Sequence, residues 1–570
     1  MIPAGYGETK LQQDNQLVAV GIVIVMTEAS FNLQGQKILI VDDLVEARSA
    51  LKSMLTVLGA DDVYSATDGR EAVEYIMEHD FDLVLSDYNL GKGKDGQQIL
   101  EEARYTNRLR ATASFVMITG ENAVDRVMGA LEYDPDAYVT KPFTLSILRE
   151  RLYRLSSLKT ILLPMNRAID QGQIDWAIEV ADQIRVEHPR LLLPVSRLQG
   201  KLCLKQERYE DALEAYTRVL ESRPASWARL GQAVCFHFLG DTDQAVSLIR
   251  ATLLDHPLYV QCHDWLAKIL VGLGKGEEAQ QALEAAVKIS PRAVFRQLEL
   301  GQLALTNESY TVAQDAFEQA MRLARYSCYK SSSTYQQFVE AAQHNLDAEQ
   351  TKENRLLCSK ALRALDEMKQ EFSGNMGVVF DATIAESRTY QAVEDDNKAR
   401  SSADKAEGIL ARIKEPTGEQ QLTMTEVYID TGQSEKAVNM VQTMKDQGVA
   451  SKLLQRLGAI EERLSNINAR EKSAELNEKG VAHYERGELK EAIAAFDQAT
   501  RFEEAGISVL LNAIQAKVSY IENEELDVGQ LKDCYRLLRR IGSVGHFDDR
   551  HDRYQRLKET CERLRRSAGL

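Results

Sequence analysis

From Lys37 onward the hydrophobic positions follow two alternating periods. Short runs rich in β-branched residues, KILIV (37–41), DVYSA (62–66), DLVLS (82–86), SFVMI (114–118) and AYVT (137–140), predict five strands. Segments near 46–58, 70–79, 96–105, 123–132 and 144–156 place apolar residues at helical spacing, as in Ala47, Ala50, Leu51, Met54 and Leu55. This alternation predicts an α/β domain, a five-stranded parallel sheet with helices on both faces. The ligand site of such a sheet lies beyond the carboxyl ends of its strands. Past residue 157 the strand signals vanish and the pattern is helical to the end.

Prolines give the helical part a period. Pro189, Pro224, Pro257 and Pro291 are 35, 33 and 34 residues apart. Twelve residues before each stands an alanine, at Ala177, Ala212, Ala245 and Ala279, and Ala313 follows 34 further on. A fixed small residue at this period predicts helix pairs that cross closely there, with proline ending the second helix. The pattern resembles the tetratricopeptide repeat. Its copies are Leu300, Gly301, Ala313, Phe317 and Ala320; Gly200, Ala212, Tyr216 and Pro224; Gly274, Ala279, Ala286 and Pro291; and, late in the chain, Gly480, Tyr484, Gly487, Ala492, Phe496 and Ala499. TGQSEKAVNMV (431–441) resembles an isolated second helix. The expectation is an all-α, continuous and curved solenoid whose aromatic and alanine positions are packing residues. Its repeats lie at 158–325, a divergent helical region of long bundle helices or degenerate repeats at 326–424, and further repeat-like and capping helices at 425–570.

The polar residues of the front domain collect at the strand ends. Asp42 and Asp43 follow the first strand, Asp87 the third, Thr119 the fourth, and Lys141 with Pro142 the fifth. Singly each is ordinary, since Asp at a strand end commonly caps a helix. Jointly, three converging carboxylates need cations to offset their repulsion: a divalent metal with oxygen ligands, and the Lys141 ammonium. The expected site therefore holds Mg²⁺ beside a nucleophile.

VDD (41–43), SDYNL (86–90), TGEN (119–122) and KPF (141–143) resemble the receiver domain of two-component response regulators, over residues 36–157. The resemblance implies a flavodoxin-like (CheY-like) fold in which Asp87 is the phosphoryl acceptor. Asp42, Asp43, Asp87 and the main-chain carbonyl of Asn89 would hold Mg²⁺. Lys141 would pair with the acceptor and then with the phosphoryl group. The Thr119 hydroxyl would bond phosphoryl oxygens beside an open Gly120, and Pro142 is the candidate for a cis peptide bond. Tyr138 is either the family's switch aromatic or a residue packing the edge of the fifth strand. Phosphorylation would alter the face built by 123–132, 137–140 and 144–156. Asn89 and Glu121 are where the lifetime of the phosphorylated form is expected to be set. The sequence departs from the family after the acceptor: Gly91 stands where a Pro is usual, and Gly96 lies nine residues after Asp87 instead of eight. The longer GKGKDG loop brings Lys92 and Lys94 near the cleft, as solvated charges or as groups that steer an acidic partner or prolong the phosphorylated state.

Composition narrows the function further. A chain of 570 residues is too long for one core. The net charge of −17, of which −9 falls on residues 1–156, repels phosphate backbones and anionic lipids, so neither nucleic acid nor membrane insertion is expected. Seven widely spaced cysteines without a CxxC pair argue against a disulfide framework or a zinc site and fit a reducing cytoplasm. The apolar run Leu17–Met26 is about half the length needed to span a bilayer. Residues 1–35 are expected to be a disordered leader or the product of a mis-called start, with Met26 as the true one. Nine arginines between Arg536 and Arg566, interleaved with acids, read as a solvated helix face. No P-loop, GxSxG, HExxH, GGDEF- or EAL-like motif is present, so no enzyme is expected beyond self-catalysed phosphoryl transfer to Asp87 and its hydrolysis.

The expectation is therefore a phosphorelay response regulator whose repeats are a protein-binding output. Its organisation resembles that of VieB-type auxiliary regulators, in which a receiver precedes repeats. The implied partners are a sensor histidine kinase or phosphotransfer domain and a protein held in the repeat groove. The alternative is a phosphate sink that competes with another regulator.

Overall fold

The computed structural model describes residues 31–120, 135–346, 351–448, 450–524 and 527–567. Residues 1–30 of the expected leader, including the apolar run at 17–26, lie outside the described residues, as do Glu121 and the segment at 123–132. The leader does not extend to residue 35 as expected, because Phe31 and Leu33 are buried against Leu51, Leu55 and Leu58 and the Leu33 N–H donates to the Leu58 carbonyl at 3.0 Å. Two compact units divide the chain after Asn345.

The first unit opens with β1 (Lys37–Val41), α1 (Val45–Val57), β2 (Asp62–Ala66), α2 (Gly69–Glu78), β3 (Leu83–Asp87), α3 (Gly96–Tyr105), β4 (Ser114–Gly120), β5 (Ala137–Lys141) and α4 (Leu145–Ile161). All strands are parallel, in the order β2-β1-β3-β4-β5. Because side chains alternate across a strand, neighbouring residues of β1 feed different cores. Ile38 and Ile40 pack with Leu51, Leu55, Leu148 and Leu152 on one face, and Leu39 and Val41 with Ala72, Ile76, Ile99 and Leu100 on the other. This two-sided burial is why the strands read as continuous apolar runs. Strands β3, β4 and β5 each run one or two residues further than the sequence pattern predicts, so Asp87, Thr119 and Lys141 are themselves strand residues.

Helix α4 also overruns its expected end, and for a physical reason. Its apolar stripe does not stop at residue 156. Leu148, Leu152 and Leu155 belong to the receiver core, whereas Leu158 and Ile161 pack on the first helix pair of the array, Leu163–Asp170 and Ile174–Glu187. One helix thus belongs to two cores.

Helix pairs follow at Leu192–Lys205 with Tyr209–Ser222, Ser226–Phe238 with Thr242–Asp255, Val260–Gly272 with Gly276–Ile289, and Val294–Thr306 with Tyr310–Ala324. Each pair turns through one residue with positive φ: Glu207, Gly240, Gly274 and Glu308, as does Gly172 in the first pair. Five residues after each turn stands one of the alanines of the period, all with no exposed surface. Close crossing also explains the glycines. A Cβ on Gly301 would lie 2.7 Å from the Phe317 ring, and one on Gly200 would lie 2.6 Å from the Tyr216 ring.

The second unit repeats this device where the sequence pattern is faint. Met376–Ala392 pairs with Asp396–Leu410, Gly418–Asp430 with Ser434–Gln447, and Leu454–Glu485 with Leu489–Ala499, turning at Glu394, Gly432 and Gly487. Ala399, Ala437 and Ala492 again stand five residues on and are buried. Seven residues before the turns, Ser387 and Thr425 occupy the buried place that Gly200, Gly301 and Gly480 fill in other pairs. Segment 431–441 is therefore not an isolated helix but half of a pair. The arginines near the end are not a uniformly solvated face either. Arg540 donates to the carbonyls of Thr500, Phe502 and Glu503, Arg553 to Asn512 and Gln515, and Arg563 pairs with Glu522. These bonds tie Val528–Ile541 and His551–Ser567 to the preceding helices. Among the described residues, no helix is long and apolar enough to cross a membrane.

Candidate functional site

Parallel pairing sets the site. The register aligns Val41 with Ser86, Asp87 with Ile118, and Thr119 with Thr140, so the ends of β1, β3, β4 and β5 meet at one edge. There one carboxylate oxygen from each of Asp42, Asp43 and Asp87 lies within 4.8 Å of the others. Asp42 is buried and Asp43 exposed. The Asp42 carboxylate accepts from the Leu44 N–H at 2.9 Å, and Arg48 donates to the Asp42 carbonyl at 2.6 Å, fixing the chain as it leaves β1.

Lys141 bridges two of the acids, with Nζ 2.8 Å from Asp42 Oδ2 and 2.9 Å from Asp87 Oδ2. Burial raises the Asp87 carboxyl above its ordinary value, and the Lys141 hydrogen bond opposes that rise without cancelling it; the Asn89 N–H also bonds the carboxylate. For Lys141 burial works toward a lower value, but its bonds to Asp42 and Asp87 prevail and hold it protonated. Three acids against one ammonium leave an excess of negative charge on oxygen donors, the donor type that suits Mg²⁺.

Thr119 is buried and its hydroxyl donates to the Gly120 carbonyl at 3.0 Å. Among the described residues, a Cβ on Gly120 would meet nothing within 4 Å. Tyr138 is half-buried against the cluster of Ile99, Leu100 and Met117. The Lys141–Pro142 bond is cis.

The loop after β3 accounts for its own departures. Gly91 has φ +73°, which the proline ring, fixed near −65°, cannot adopt. A Cβ on Gly96 would lie 2.3 Å from the Asp87 carbonyl oxygen, so α3 starts against the backbone of the acceptor strand. Lys94 is not a solvated loop charge, because its side chain is largely covered and paired with Glu102. Lys92 is exposed. Sequence reasoning missed Arg48, whose only signal is its place one turn into α1, and Arg292, which no local pattern connects to the receiver. Arg292 lies 3.6 Å from Asp95 and 3.5 Å from the Tyr88 hydroxyl.

The model of the response regulator receiver domain matches residues 38–153, and that of the tetratricopeptide repeat matches 197–259 and 266–327. The aerobic respiration control protein ArcA of Escherichia coli (strain K12) is 39% identical over 126 residues, 22% of this chain and 50% of ArcA. The chemotaxis protein CheY-3 of Vibrio cholerae serotype O1 is 34% identical over 128 residues, 22% of this chain and 96% of CheY-3. The match thus spans half the length of ArcA and nearly all of CheY-3. A tetratricopeptide repeat protein of known structure from Parabacteroides merdae covers 49% of this chain and 99% of its own, at 14% identity and a TM-score of 0.27. With its motifs gathered at one sheet edge and a relative matched almost end to end, this chain belongs to the response regulators, its receiver domain preceding tetratricopeptide repeats.

Proposed function

We propose that this protein is a phosphorylation-controlled regulator of a phosphorelay, acting in the cytoplasm, with its repeats as a protein-binding output. Asp87 accepts the phosphoryl group from a histidine kinase or phosphotransfer protein. A carboxylate oxygen of Asp87 bonds to phosphorus as the donor's P–N bond breaks, and the freed imidazole nitrogen keeps the electron pair. Asp42, Asp43, Asp87 and the Asn89 carbonyl would hold Mg²⁺, which supplies neutralisation of the phosphoryl oxygens. Lys141 holds Asp87 in place before transfer and afterwards pairs with the phosphoryl group. Thr119 exchanges its bond to the Gly120 carbonyl for one to a phosphoryl oxygen, and Tyr138 follows it inward. The receiver catalyses nothing beyond this transfer and the hydrolysis that reverses it.

The observation that carries the reading is the Lys141 bridge between Asp42 and Asp87, with Asp43 in reach of both. Incubation of the full chain with a small phosphodonor and Mg²⁺ is expected to add the mass of one phosphoryl group, and Asp87→Asn to abolish it. Partner capture from the source cell, compared between wild type and Asp87→Asn, tests the output. Identical capture with and without phosphodonor would refute phosphorylation control of the repeats.

A further inference from the structure

The first unit contains a second junction besides α4, formed by residues far apart in sequence. Helix α3 begins with a capping box: Asp95 accepts from the Gln98 N–H at 2.9 Å, and the Asp95 N–H donates to Gln98 Oε1 at 3.1 Å. Each side chain of that box has one group left over, and the repeats engage both. Asp95 Oδ2 faces Arg292 at 3.6 Å, and Gln98 Nε2 donates to the Leu323 carbonyl at 3.2 Å. Arg292 also reaches the hydroxyl of Tyr88, the residue after Asp87. The Tyr105 and Tyr329 rings meet edge to face, 5.6 Å apart, at the other end of α3.

The box is tied to the acceptor as well. The Gly96 N–H donates to the Tyr88 carbonyl at 3.0 Å, and Gly96 lies against the Asp87 carbonyl, so a shift of the 87–96 loop moves the cap of α3. A cavity of about 740 Å³ is lined by Gly93, Asp95 and Gln98 from the receiver and by Arg292 and Leu323 from the repeats.

We propose that the repeats read the phosphorylation site from within the chain, through Arg292 and the Leu323 carbonyl on the capping box of α3, and that this contact belongs to the unphosphorylated state. In the structure the contact coexists with the Thr119 bond to the Gly120 carbonyl and the Lys141 bridge, both of which a phosphoryl group on Asp87 would have to replace. Phosphorylation places about two negative charges beside Tyr88 and the loop to Asp95 and releases the repeat from the cap. Linkage requires the converse: loss of the contact must tighten binding at Asp87 by the same factor. The inference rests on the reading of Asp87 as acceptor.

The test uses the full chain with Mg²⁺ and beryllofluoride, an acyl-phosphate mimic, read by hydrogen–deuterium exchange over 88–105 and 287–329 and by titration. In wild type, beryllofluoride is expected to raise exchange in both segments. Arg292→Ala, at an exposed side chain, is expected to show the raised exchange without ligand and to bind beryllofluoride about 5-fold more tightly. Arg292→Lys, which keeps the cation, should fall between. If wild type binds beryllofluoride but exchange at 287–329 does not change, or Arg292→Ala binds it equally or more weakly, the coupling is overturned. If wild type is as unresponsive as Asp87→Asn, the acceptor reading fails and the coupling falls with it.

Discussion

Two lysines, one in each unit, stand in acid clusters of different charge balance. Lys141 stands among three acids, one of them exposed, and its own side chain remains partly open to solvent. Lys517 has no exposed surface and is matched by Asp497 at 2.7 Å, the side-chain oxygen Oε1 of Gln530 at 2.6 Å and Asp533 at 3.7 Å. Asp533 is also paired with Arg536 at 3.0 Å, so two acids meet two cations, and both acids extend into solvent, where water screens them. At Lys141 the acids outnumber the cation inside a cleft, and desolvation raises the Asp87 carboxyl despite its ammonium partner. An ion group that is complete in itself holds helices together; one with surplus charge on the acid side is built to receive something.

The contrast can be broken experimentally, starting with the largest effect. Asp87→Asn should abolish phosphoryl incorporation outright, read by intact mass, while Asp497→Asn should leave it at the wild-type level. Lys141→Met strands the covered Asp42 and Asp87 carboxylates and should cost the first unit about 3 kcal/mol in the absence of divalent metal, and added Mg²⁺ should restore a part of it, because a bound cation offsets the same acids. Lys517→Met leaves acids that water already screens and should cost the second unit about 1 kcal/mol, read by urea denaturation and unchanged by Mg²⁺. Equal Mg²⁺ responses in the two lysine variants would remove the distinction.

Smaller effects sharpen the comparison through glycine. Gly301→Ala drives a methyl group into the Phe317 ring and should cost about 2 kcal/mol, whereas Gly120→Ala meets no described residue within 4 Å and should change stability by less than about 0.5 kcal/mol. Glu308→Gly, at a turn with φ +58°, should stabilise the first unit by about 0.5 kcal/mol in the same denaturation assay, since backbone strain is relieved and unfolded-state entropy offsets part of the gain.

Much of the receiver could be read from the chain because its chemistry is clustered at strand ends. A period of two places Asp42, Asp87, Thr119 and Lys141 at one edge once the strands are parallel. The departure at Gly91 was also visible, but its reason, a left-handed turn, needed the backbone. Lys94 was misjudged because loop position suggests solvation, while its real partner, Glu102, lies eight residues further on, within α3. In the second unit, a search keyed to proline and glycine passed over pairs in which Ser387 and Thr425 fill the glycine place. Serine and threonine are small enough for the crossing when the hydroxyl is bonded, as Ser387 is to the Ala399 carbonyl at 2.7 Å.

The sequence by itself determined the alternation of strands and helices, the spacing of the repeats, and the identity of the acids, hydroxyl and ammonium at the strand ends, because these follow from periods of two, about four and about thirty-four residues. Tertiary structure alone decided that α4 belongs to two cores and that Arg292 meets the cap of α3 some two hundred residues before it. Such contacts depend on how successive helix pairs accumulate rotation and bring distant surfaces together, and no local pattern of side chains records that sum.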